Sequence, residues 1–330
     1  SGHPKDWVAN TLFGGNSNCW WACTPRFHPS DFRLRSLYGV GEDWPLSYDD
    51  LEQAFCDAEE IMEIAGGGSD HVLPRSRPFP YPPHAPSRTD TVLQAGSDMW
   101  WPQPTARSNG GRRAPCCANG ICNLCPIDAK FTIQNAEDSF ARDGAFLLTG
   151  TEMRALRIEA GTARAALLRL PDGTEAEVAG DLFALGANGI FNAAILMRSG
   201  LTSHALGRYL HEQVSRPVGI DIDHRNFFGG TSITGHGYHF YDGPHRSAHA
   251  AVLLENWNAP PSLRTERGRW TERLTIKLIA EDLPRAENRV TLGAGDEPAI
   301  EWHGHHDYAL RGLDRTVEAL SGPTLAADPD

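Results

Sequence analysis

Apolar residues at helical spacing mark the first clear element of the chain, between residues 48 and 64. They are Leu51, Phe55, Ala58 and Met62. This period of three to four predicts an amphipathic helix. Ser47 and Asp50 have the spacing of a capping box at its start. Three consecutive glycines, residues 66–68, are expected to end it.

Strict alternation of apolar and polar residues follows between residues 145 and 180. Leu156 and Ile158 alternate with charged residues, and so do Ala176 and Val178. Turn residues at 171–173 separate two of these runs. A period of two with turns between the runs predicts a three-stranded β-meander.

An almost unbroken apolar run, residues 181–186, follows the alternating region. Such a run predicts a strand that is buried on both faces of a parallel sheet. It leads through Gly186 and Ala187 into a helix that is expected to start near Asn188 and to end at Gly200. Doubly wound folds hold phosphates and dinucleotides at turns of this kind, although many such turns bind nothing.

Alternating patterns return beyond residue 213. Val218 and Ile220 belong to one such pattern, and Leu274, Ile276 and Leu278 belong to another. They predict an antiparallel sheet with one wet face. Shorter helices are predicted at 89–101 and 129–143, joined by irregular segments rich in glycine and proline.

Composition narrows the class of protein. The chain has 330 residues, 40 % of them hydrophobic, which is ordinary for a globular protein long enough for two domains. Its net charge of −12 argues against a nucleic-acid partner, which needs a basic face. No apolar run approaches the roughly 20 residues of a transmembrane helix. The composition leaves the choice between cytoplasm and periplasm open.

The segment 13–27 reads FGGNSNCWWACTPRF and carries the most specific pattern in the chain. Its adjacent glycines lack Cβ atoms and let the backbone lie against a flat ligand, although a glycine pair alone more often marks a turn. The whole segment resembles the flavin-covering loop of glucose-methanol-choline (GMC) oxidoreductases, in the branch of pyranose oxidases and FAD-dependent sugar dehydrogenases. Residues 38–52 continue the resemblance.

This resemblance implies an α/β (α+β) fold in two discontinuous domains. Residues 1–65 and 130–212 would form a GMC-type FAD-binding domain, with a Rossmann-like sheet and the β-meander. Residues 66–129 and 213–330 would form a substrate-binding domain with the antiparallel sheet. The expected FAD-binding residues are Gly14, Gly15, Asn16, Ser17, Asn18, Cys19, Met153, Gly186, Ala187 and Asn188.

The activity implied by the resemblance is FAD-dependent oxidation of a CH–OH group in a sugar, sugar acid or polyol. The family's Gly-x-Gly-x-x-Gly and its C-terminal histidine pair have no match, so the chain is expected to be incomplete at both ends and its catalytic residues stay unidentified. A non-catalytic α/β or iron–sulfur-binding remnant is the alternative. His303, His305 and His306 fit a wet loop better than a base, while His236 and His239 fit a sugar pocket, a surface or a core equally well.

Four of the seven cysteines, Cys116, Cys117, Cys122 and Cys125, fall within ten residues. Such crowding favours a metal or redox site over disulfide stapling, and thiolates are the usual ligands of iron–sulfur clusters. Buried thiols or a Cys122–Cys125 bridge are the alternatives.

The family resemblance extends to these cysteines. Cys116, Cys117 and Cys122 match the spacing by which FAD-dependent glucose dehydrogenases hold a 3Fe–4S cluster. Such a cluster would pass electrons to a quinone or a cytochrome, which favours a dehydrogenase over an oxidase. Cys19 stands where pyranose oxidases carry a flavin-linked histidine, so either a cysteinyl link or a packed thiol is expected there.

Overall fold

The computed structural model describes residues 7–68, 71–137, 144–226, 230–258 and 263–321. The chain divides into two compact units. The first, which we call the meander unit, contains residues 1–7, 141–212 and 283–306. The second, the sheet unit, contains residues 8–140, 213–282 and 307–330. Residues 8–65 lie in the same compact unit as residues 213–282. The expected division into an FAD-binding and a substrate-binding domain stays a prediction.

The described residues form ten strands and five α-helices. The strands are β1 (Trp100–Pro102), β2 (Glu152–Glu159), β3 (Thr162–Arg169), β4 (Glu175–Ala179), β5 (Val214–Asp221), β6 (Ile233–Phe240), β7 (Val252–Trp257), β8 (Arg273–Ala280), β9 (Arg289–Leu292) and β10 (Pro298–Glu301). The helices are α1 (Leu34–Tyr38), α2 (Tyr48–Met62), α3 (Arg88–Gly96), α4 (Asn188–Arg198) and α5 (Asp307–Leu320). In the part of the chain that is described, none of these helices is long and apolar enough to cross a membrane.

The meander unit confirms the predicted three-stranded sheet. β2, β3 and β4 pair antiparallel in sequence order, and α4 packs against β2 and against the β9–β10 hairpin. The helix begins at Asn188, as predicted. The Asn188 side chain caps it, because Oδ1 accepts hydrogen bonds from the amides of Ile190 (2.9 Å) and Phe191 (3.1 Å).

The predicted buried strand at 181–186 is wrong. These residues form no strand, and Leu182 is 89 % exposed. A parallel strand is buried only where neighbours pair with both its edges and helices cover both its faces. All strand pairings among the described residues are antiparallel, so this apolar run finds no parallel neighbour there.

The sheet unit is built on a five-stranded antiparallel sheet in the order β1-β6-β7-β8-β5. This confirms the sheet predicted from the alternating patterns beyond residue 213. Leu274, Ile276 and Leu278 of β8 are no more than 3 % exposed, and α5 packs against β5, β7 and β8.

Three helix predictions need correction. The helix predicted at 89–101 is α3, which ends at Gly96, and Trp100 and Trp101 belong to strand β1 instead. The capping box of Ser47 and Asp50 is present, but α2 ends at Met62, before the glycines. The reason is Glu63, which adopts a left-handed conformation (φ 52°) and buries a carboxylate that accepts a 2.6 Å hydrogen bond from the Arg112 amide. Residues 129–132 are not helical, residues 134–136 form one short 3-10 turn, and residues 138–143 of that predicted helix lie outside the described part.

A buried arginine joins the loops at one end of the sheet unit. The Arg246 side chain has no exposed area and forms ion pairs with Asp31 (2.8 Å), Glu281 (2.7 Å) and Asp242 (3.3 Å). The Tyr308 hydroxyl donates to Glu281 (3.0 Å), which connects α5 to the same network. Removing one partner of such a pair leaves an uncompensated buried charge.

We therefore predict that Arg246→Met lowers the free energy of unfolding by about 3–5 kcal/mol, measured by urea denaturation. Arg315→Met is the matched control, because the Arg315–Glu318 pair is two-thirds exposed and should contribute less than about 1 kcal/mol. Equal losses in the two variants would contradict the role given to the Arg246 network.

Candidate functional site

A row of polar side chains crosses one face of the five-stranded sheet. The antiparallel register places Trp101 opposite His236, His236 opposite Glu255, and Glu255 opposite Lys277. Directly opposed residues point to the same face of a sheet. Register irregularities in β6 on both sides of His236 keep this histidine on the face of Glu255.

Next to this row lies a pocket of about 280 Å³, which we call the sheet pocket. All its lining residues belong to the sheet unit: Trp21, Cys23, Pro25, Gln213, Ile233, Leu253, Glu255, Trp257, Lys277 and Ile279. Its size suits a small ligand, and its walls combine apolar and aromatic side chains with a few convergent polar groups, as binding pockets generally do.

Two tryptophans and a lysine lie close together in the lining of the sheet pocket. The rings of Trp21 and Trp257 are 6.0 Å apart, and the Lys277 ammonium lies 5.6 Å from the centre of the Trp257 ring. Lys277 is half-buried and forms no ion pair within the described residues. Its positive charge is therefore available to a ligand.

The buried side of the row is a histidine–carboxylate pair. His236 is fully buried, Glu255 is 4 % exposed, and His236 Nε2 lies 3.2 Å from Glu255 Oε1. Four buried polar atoms of this region have no hydrogen-bond partner within the described chain: His236 Nδ1, His71 Nε2, Trp101 Nε1 and Tyr238 Oη. Buried polar groups nearly always have partners, so this cluster is suited to hold ordered water behind the pocket.

Cys23 lines the sheet pocket but is unsuited to act as a nucleophile. Burial raises the pKa of its thiol far above the usual range, and the nearby Glu255 carboxylate raises it further. The thiolate is the nucleophilic form of cysteine. At neutral pH the thiol therefore stays protonated and serves as a small wall residue.

The glycine loop, residues 13–20, adopts the conformation that its sequence demands. Gly14 (φ 90°) and Gly15 (φ 53°) are left-handed, and a Cβ on Gly14 would lie 2.6 Å from Asn18 Oδ1. Asn18 Nδ2 donates to the Phe13 carbonyl (2.9 Å), while its buried Oδ1 has no partner. Asn16 and Cys19 are exposed. Asn16 Oδ1 accepts from the Asn10 amide (2.9 Å), and Cys19 Sγ donates to the Asn16 carbonyl (3.6 Å). Within the described residues, Asn18 Oδ1 is therefore the acceptor that the loop leaves unused.

The remaining predicted FAD residues lie in the meander unit. Met153 is half-buried on β2, beside an irregularity in the pairing with β3. Gly186 and Ala187 are exposed just before α4, where Asn192 Oδ1 accepts from the Ala187 amide (2.8 Å). Because Asn188 caps the first turn, side chains of the helix already occupy several amides that a phosphate would use. The cofactor role of all ten residues stays a prediction.

The cysteine loop, residues 116–126, is fixed to the start of β6. The Gly120 amide donates to the Gly230 carbonyl (2.9 Å), and the Gly230 amide donates to Ala118 (2.8 Å). Cys122 is 5 % exposed, and its sulfur accepts a hydrogen bond from the Ser232 amide (3.2 Å). Cys116 is half-buried, Cys117 is exposed, and all seven cysteines are free thiols, so the Cys122–Cys125 bridge is not formed.

No three His, Cys, Asp or Glu side chains of the described residues are arranged to share one metal ion. The adjacent Cys116 and Cys117 agree with this, because neighbouring side chains diverge. A cluster of several irons accepts thiolates that are further apart than the ligands of a single ion. The three-cysteine ligand set Cys116, Cys117 and Cys122 therefore stays a prediction.

The histidines singled out in the sequence analysis lie in two places, on β6 and in the loop at 303–306. His236 lies beside the sheet pocket, whereas His239 is exposed and contacts Ser97 (2.6 Å). His303 is exposed in a loop of the meander unit, where His305 packs against Trp302.

Sequence reasoning missed Glu255, Lys277 and Trp257. There was one signal for them in the sequence. Lys277 alternates with Ile276 and Leu278, which assigns it to the predicted solvent-exposed face of the sheet. Alternation assigns a residue to a face but does not reveal its neighbours on the adjacent strands.

Comparison with known proteins supports the expected class. No protein-family profile matches the chain. It is 27 % identical over 294 residues to the fructose dehydrogenase large subunit of Gluconobacter japonicus, covering 82 % of this chain and 54 % of that subunit. It is 26 % identical over 373 residues to 2-methyl-1,2-propanediol dehydrogenase of Mycolicibacterium austroafricanum, covering 97 % and 67 %. These relatives support an FAD-dependent oxidoreductase family.

Solved structures show the same fold. Pyridoxine 4-oxidase from Mesorbium loti superposes with a TM-score of 0.61 at 18 % identity, covering 97 % of this chain and 67 % of that one. An FAD-dependent oxidoreductase from Chaetomium thermophilum gives 0.56 at 11 % identity, covering 98 % and 72 %. The mixed α/β fold class is confirmed. The chain spans only about half of the fructose dehydrogenase subunit.

His71, in the cluster of unpartnered polar atoms, makes stability depend on pH. Burial lowers its pKa from 6.5 to about 3. Between about pH 6.5 and pH 3, His71 is therefore protonated in the unfolded chain but neutral in the folded chain. The free energy of unfolding falls as the pH drops through this range. We predict that His71→Phe reduces the loss of unfolding free energy between pH 7 and pH 5 by about 1–2 kcal/mol.

Urea denaturation at the two pH values measures this loss. His303→Phe, which changes an exposed side chain, is the control and should keep the wild-type pH dependence. An unchanged dependence in His71→Phe would show that this histidine is not the buried neutral group described above.

Proposed function

We propose that the chain carries the flavin-covering loop and the substrate pocket of an FAD-dependent dehydrogenase acting on a CH–OH group of a sugar, sugar acid or polyol. The sheet pocket is the observation that carries this proposal, because it combines tryptophan walls with Glu255 and Lys277. The relatives named for fructose and for a propanediol support an alcohol-type substrate.

The glycine loop fits an FAD. A flavin ring needs a flat backbone surface, which the left-handed Gly14 and Gly15 provide. The acceptor Asn18 Oδ1, unpartnered within the described residues, and the side-chain nitrogen of the exposed Asn16 can hydrogen-bond to a polar ring edge. The bound cofactor would supply the hydride-accepting chemistry, and the protein supplies binding and orientation. Met153, Gly186, Ala187 and Asn188 are proposed to contact other parts of the cofactor.

The sheet pocket fits a polyhydroxylated substrate. The C–H face of such a molecule can pack on Trp21 or Trp257, which present large apolar rings at low entropy cost. Glu255 accepts hydrogen bonds from hydroxyl groups, and His236 holds its carboxylate in place. Lys277 donates to hydroxyls and attracts a carboxylate. The unpaired charge of Lys277 favours a sugar acid among the three substrate classes.

The cysteine loop supports a dehydrogenase rather than an oxidase. We propose that Cys116, Cys117 and Cys122 hold a 3Fe–4S cluster that passes electrons to a quinone or a cytochrome. The loop fits such a group, because the Ser232 amide donates to the Cys122 sulfur and amide hydrogen bonds of this kind tune cluster potentials. The left-handed Ala118 (φ 54°) and Gly120 (φ 72°) give the tight return that the third thiolate needs.

The sheet pocket is tested by Lys277→Met in FAD-loaded protein. A charge-assisted hydrogen bond contributes about 1.5–3 kcal/mol, so Kd for a sugar acid such as gluconate should rise about 10- to 100-fold. Kd for a neutral polyol should rise much less. Titration calorimetry with both ligands measures the difference, and Arg315→Met, which changes an exposed side chain of α5, is the control. Equal losses of affinity for the sugar acid and the neutral polyol would show that Lys277 contributes only by packing against Trp257.

The cluster is tested by Cys122→Ser in protein reconstituted anaerobically with iron and sulfide. We expect the variant to lose the broad visible absorbance and an iron content near three per chain that the wild type shows. Cys56→Ser is the matched control, because Cys56 is equally buried but lies on α2 and contacts Arg26. Iron-free wild-type protein would contradict the cluster and make an oxygen-using enzyme the better interpretation.

A further inference from the structure

Two buried cations of the sheet unit have no carboxylate partner among the residues that the structure describes. Arg107 is 2 % exposed and Lys130 is 1 % exposed. Neither forms an ion pair within the described residues, where every hydrogen bond of their side chains goes to a neutral oxygen. Lysine and arginine are almost never fully buried unless they are paired.

The other fully buried cations of this unit follow the usual rule. Arg26 is bound by Glu59 (2.8 Å) and Glu52 (3.0 Å). Arg246 is bound by three carboxylates, as described above. The chain therefore provides counter-charges for buried cations elsewhere, and their absence around Arg107 and Lys130 needs an explanation.

Arg107 and Lys130 also lie next to each other. They are directly opposed in an antiparallel bridge, and the flanking Ser108 and Phe131 amides donate 2.8 Å hydrogen bonds across it. Opposed residues share a face, and like charges directly opposite are destabilising. Two buried positive charges thus stand side by side, and their cost is larger than that of either alone.

Three thiols, one of them that of Cys122, also lie near Lys130. Burial lowers the pKa of Lys130, and the acidic groups that oppose this effect are Cys125, Cys19 and Cys122. The Arg107 guanidinium donates to Ser232 Oγ (3.4 Å), and the amide of the same serine donates to the Cys122 sulfur. Arg107 Nε has no partner.

Lys130 also connects the glycine loop to the cysteine loop through hydrogen bonds. Its ammonium donates to the carbonyls of Asn18 (3.0 Å) and Trp20 (3.0 Å) in the glycine loop, and to Asn123 (2.9 Å) in the cysteine loop. One side chain therefore fixes the spacing between the proposed flavin contact and the proposed cluster.

Removing a cation from water costs several kcal/mol per ion, and hydrogen bonds to neutral carbonyls do not fully compensate for this free energy of desolvation. An anionic group held by the surrounding thiolates would supply the missing charge. We propose that Arg107 and Lys130 are positioning residues that provide the counter-charge of the group bound by Cys116, Cys117 and Cys122. This inference rests on the proposed iron–sulfur cluster. By favouring the more negative, reduced state, the two cations would raise its reduction potential.

The test compares Lys130→Met, Arg107→Met and the charge-conserving Lys130→Arg in the full chain. Each is measured iron-free and after anaerobic reconstitution with iron and sulfide. Arg26→Met is the matched control, since it removes a buried cation that has its own carboxylates. The readouts are iron retention against a chelator, the cluster reduction potential, and the urea midpoint of both forms.

We expect Lys130→Met and Arg107→Met to weaken iron retention about 10- to 100-fold and to shift the reduction potential to more negative values. Lys130→Arg should keep the potential near that of the wild type, and Arg26→Met should lower the urea midpoint without changing the potential. The two Met variants should lose more stability in the iron-loaded form than in the iron-free form.

Two results would overturn the inference. Equal destabilisation of both forms with an unchanged potential would show that Lys130 and Arg107 only connect backbone carbonyls, while the cluster itself would stand. Absence of iron from reconstituted wild-type protein would remove the cluster and the inference with it.

Discussion

The antiparallel register of β6, β7 and β8 is the constraint on which the sheet pocket depends. It brings His236, Glu255 and Lys277 into one row, although they are separated by about 20 residues each along the chain. A slip of one residue in β7 would turn Glu255 away from the pocket and bring Leu254 or Asn256 in its place. The irregular pairing of β6 keeps His236 on the correct face, so the carboxylate is already positioned before a ligand binds.

Charge is distributed differently in two parts of the sheet unit. Around Arg26 and Arg246, carboxylates neutralise buried cations and hold the loops together. Among the described residues, neutral oxygen atoms take the place of carboxylates around Arg107 and Lys130. The paired cations Arg26 and Arg246 therefore stabilise the fold, whereas the environment of Arg107 and Lys130 suits an anionic group such as the proposed cluster. The glycine and cysteine loops meet at Lys130, so the proposed cofactor contact and the proposed cluster would share one support.

Local patterns predicted much of the framework correctly. The capping box at Ser47 and Asp50, the three-strand meander and the helix start at Asn188 each depend on residues close in sequence. The errors have tertiary causes. The run 181–186 needs partner strands to become a buried strand, and α2 ends early because distant arginines bind the carboxylate of Glu63.

The sequence by itself determined the mixed α/β class, the left-handed glycines of the glycine loop and the crowding of the cysteines, because propensity and spacing act over a few residues. Only the tertiary structure decided which side chains share a site. Glu255 meets Lys277 through strand register, and Lys130 meets Arg107 through a bridge between segments more than 20 residues apart. Contacts of this kind depend on long-range pairing, which no local pattern encodes.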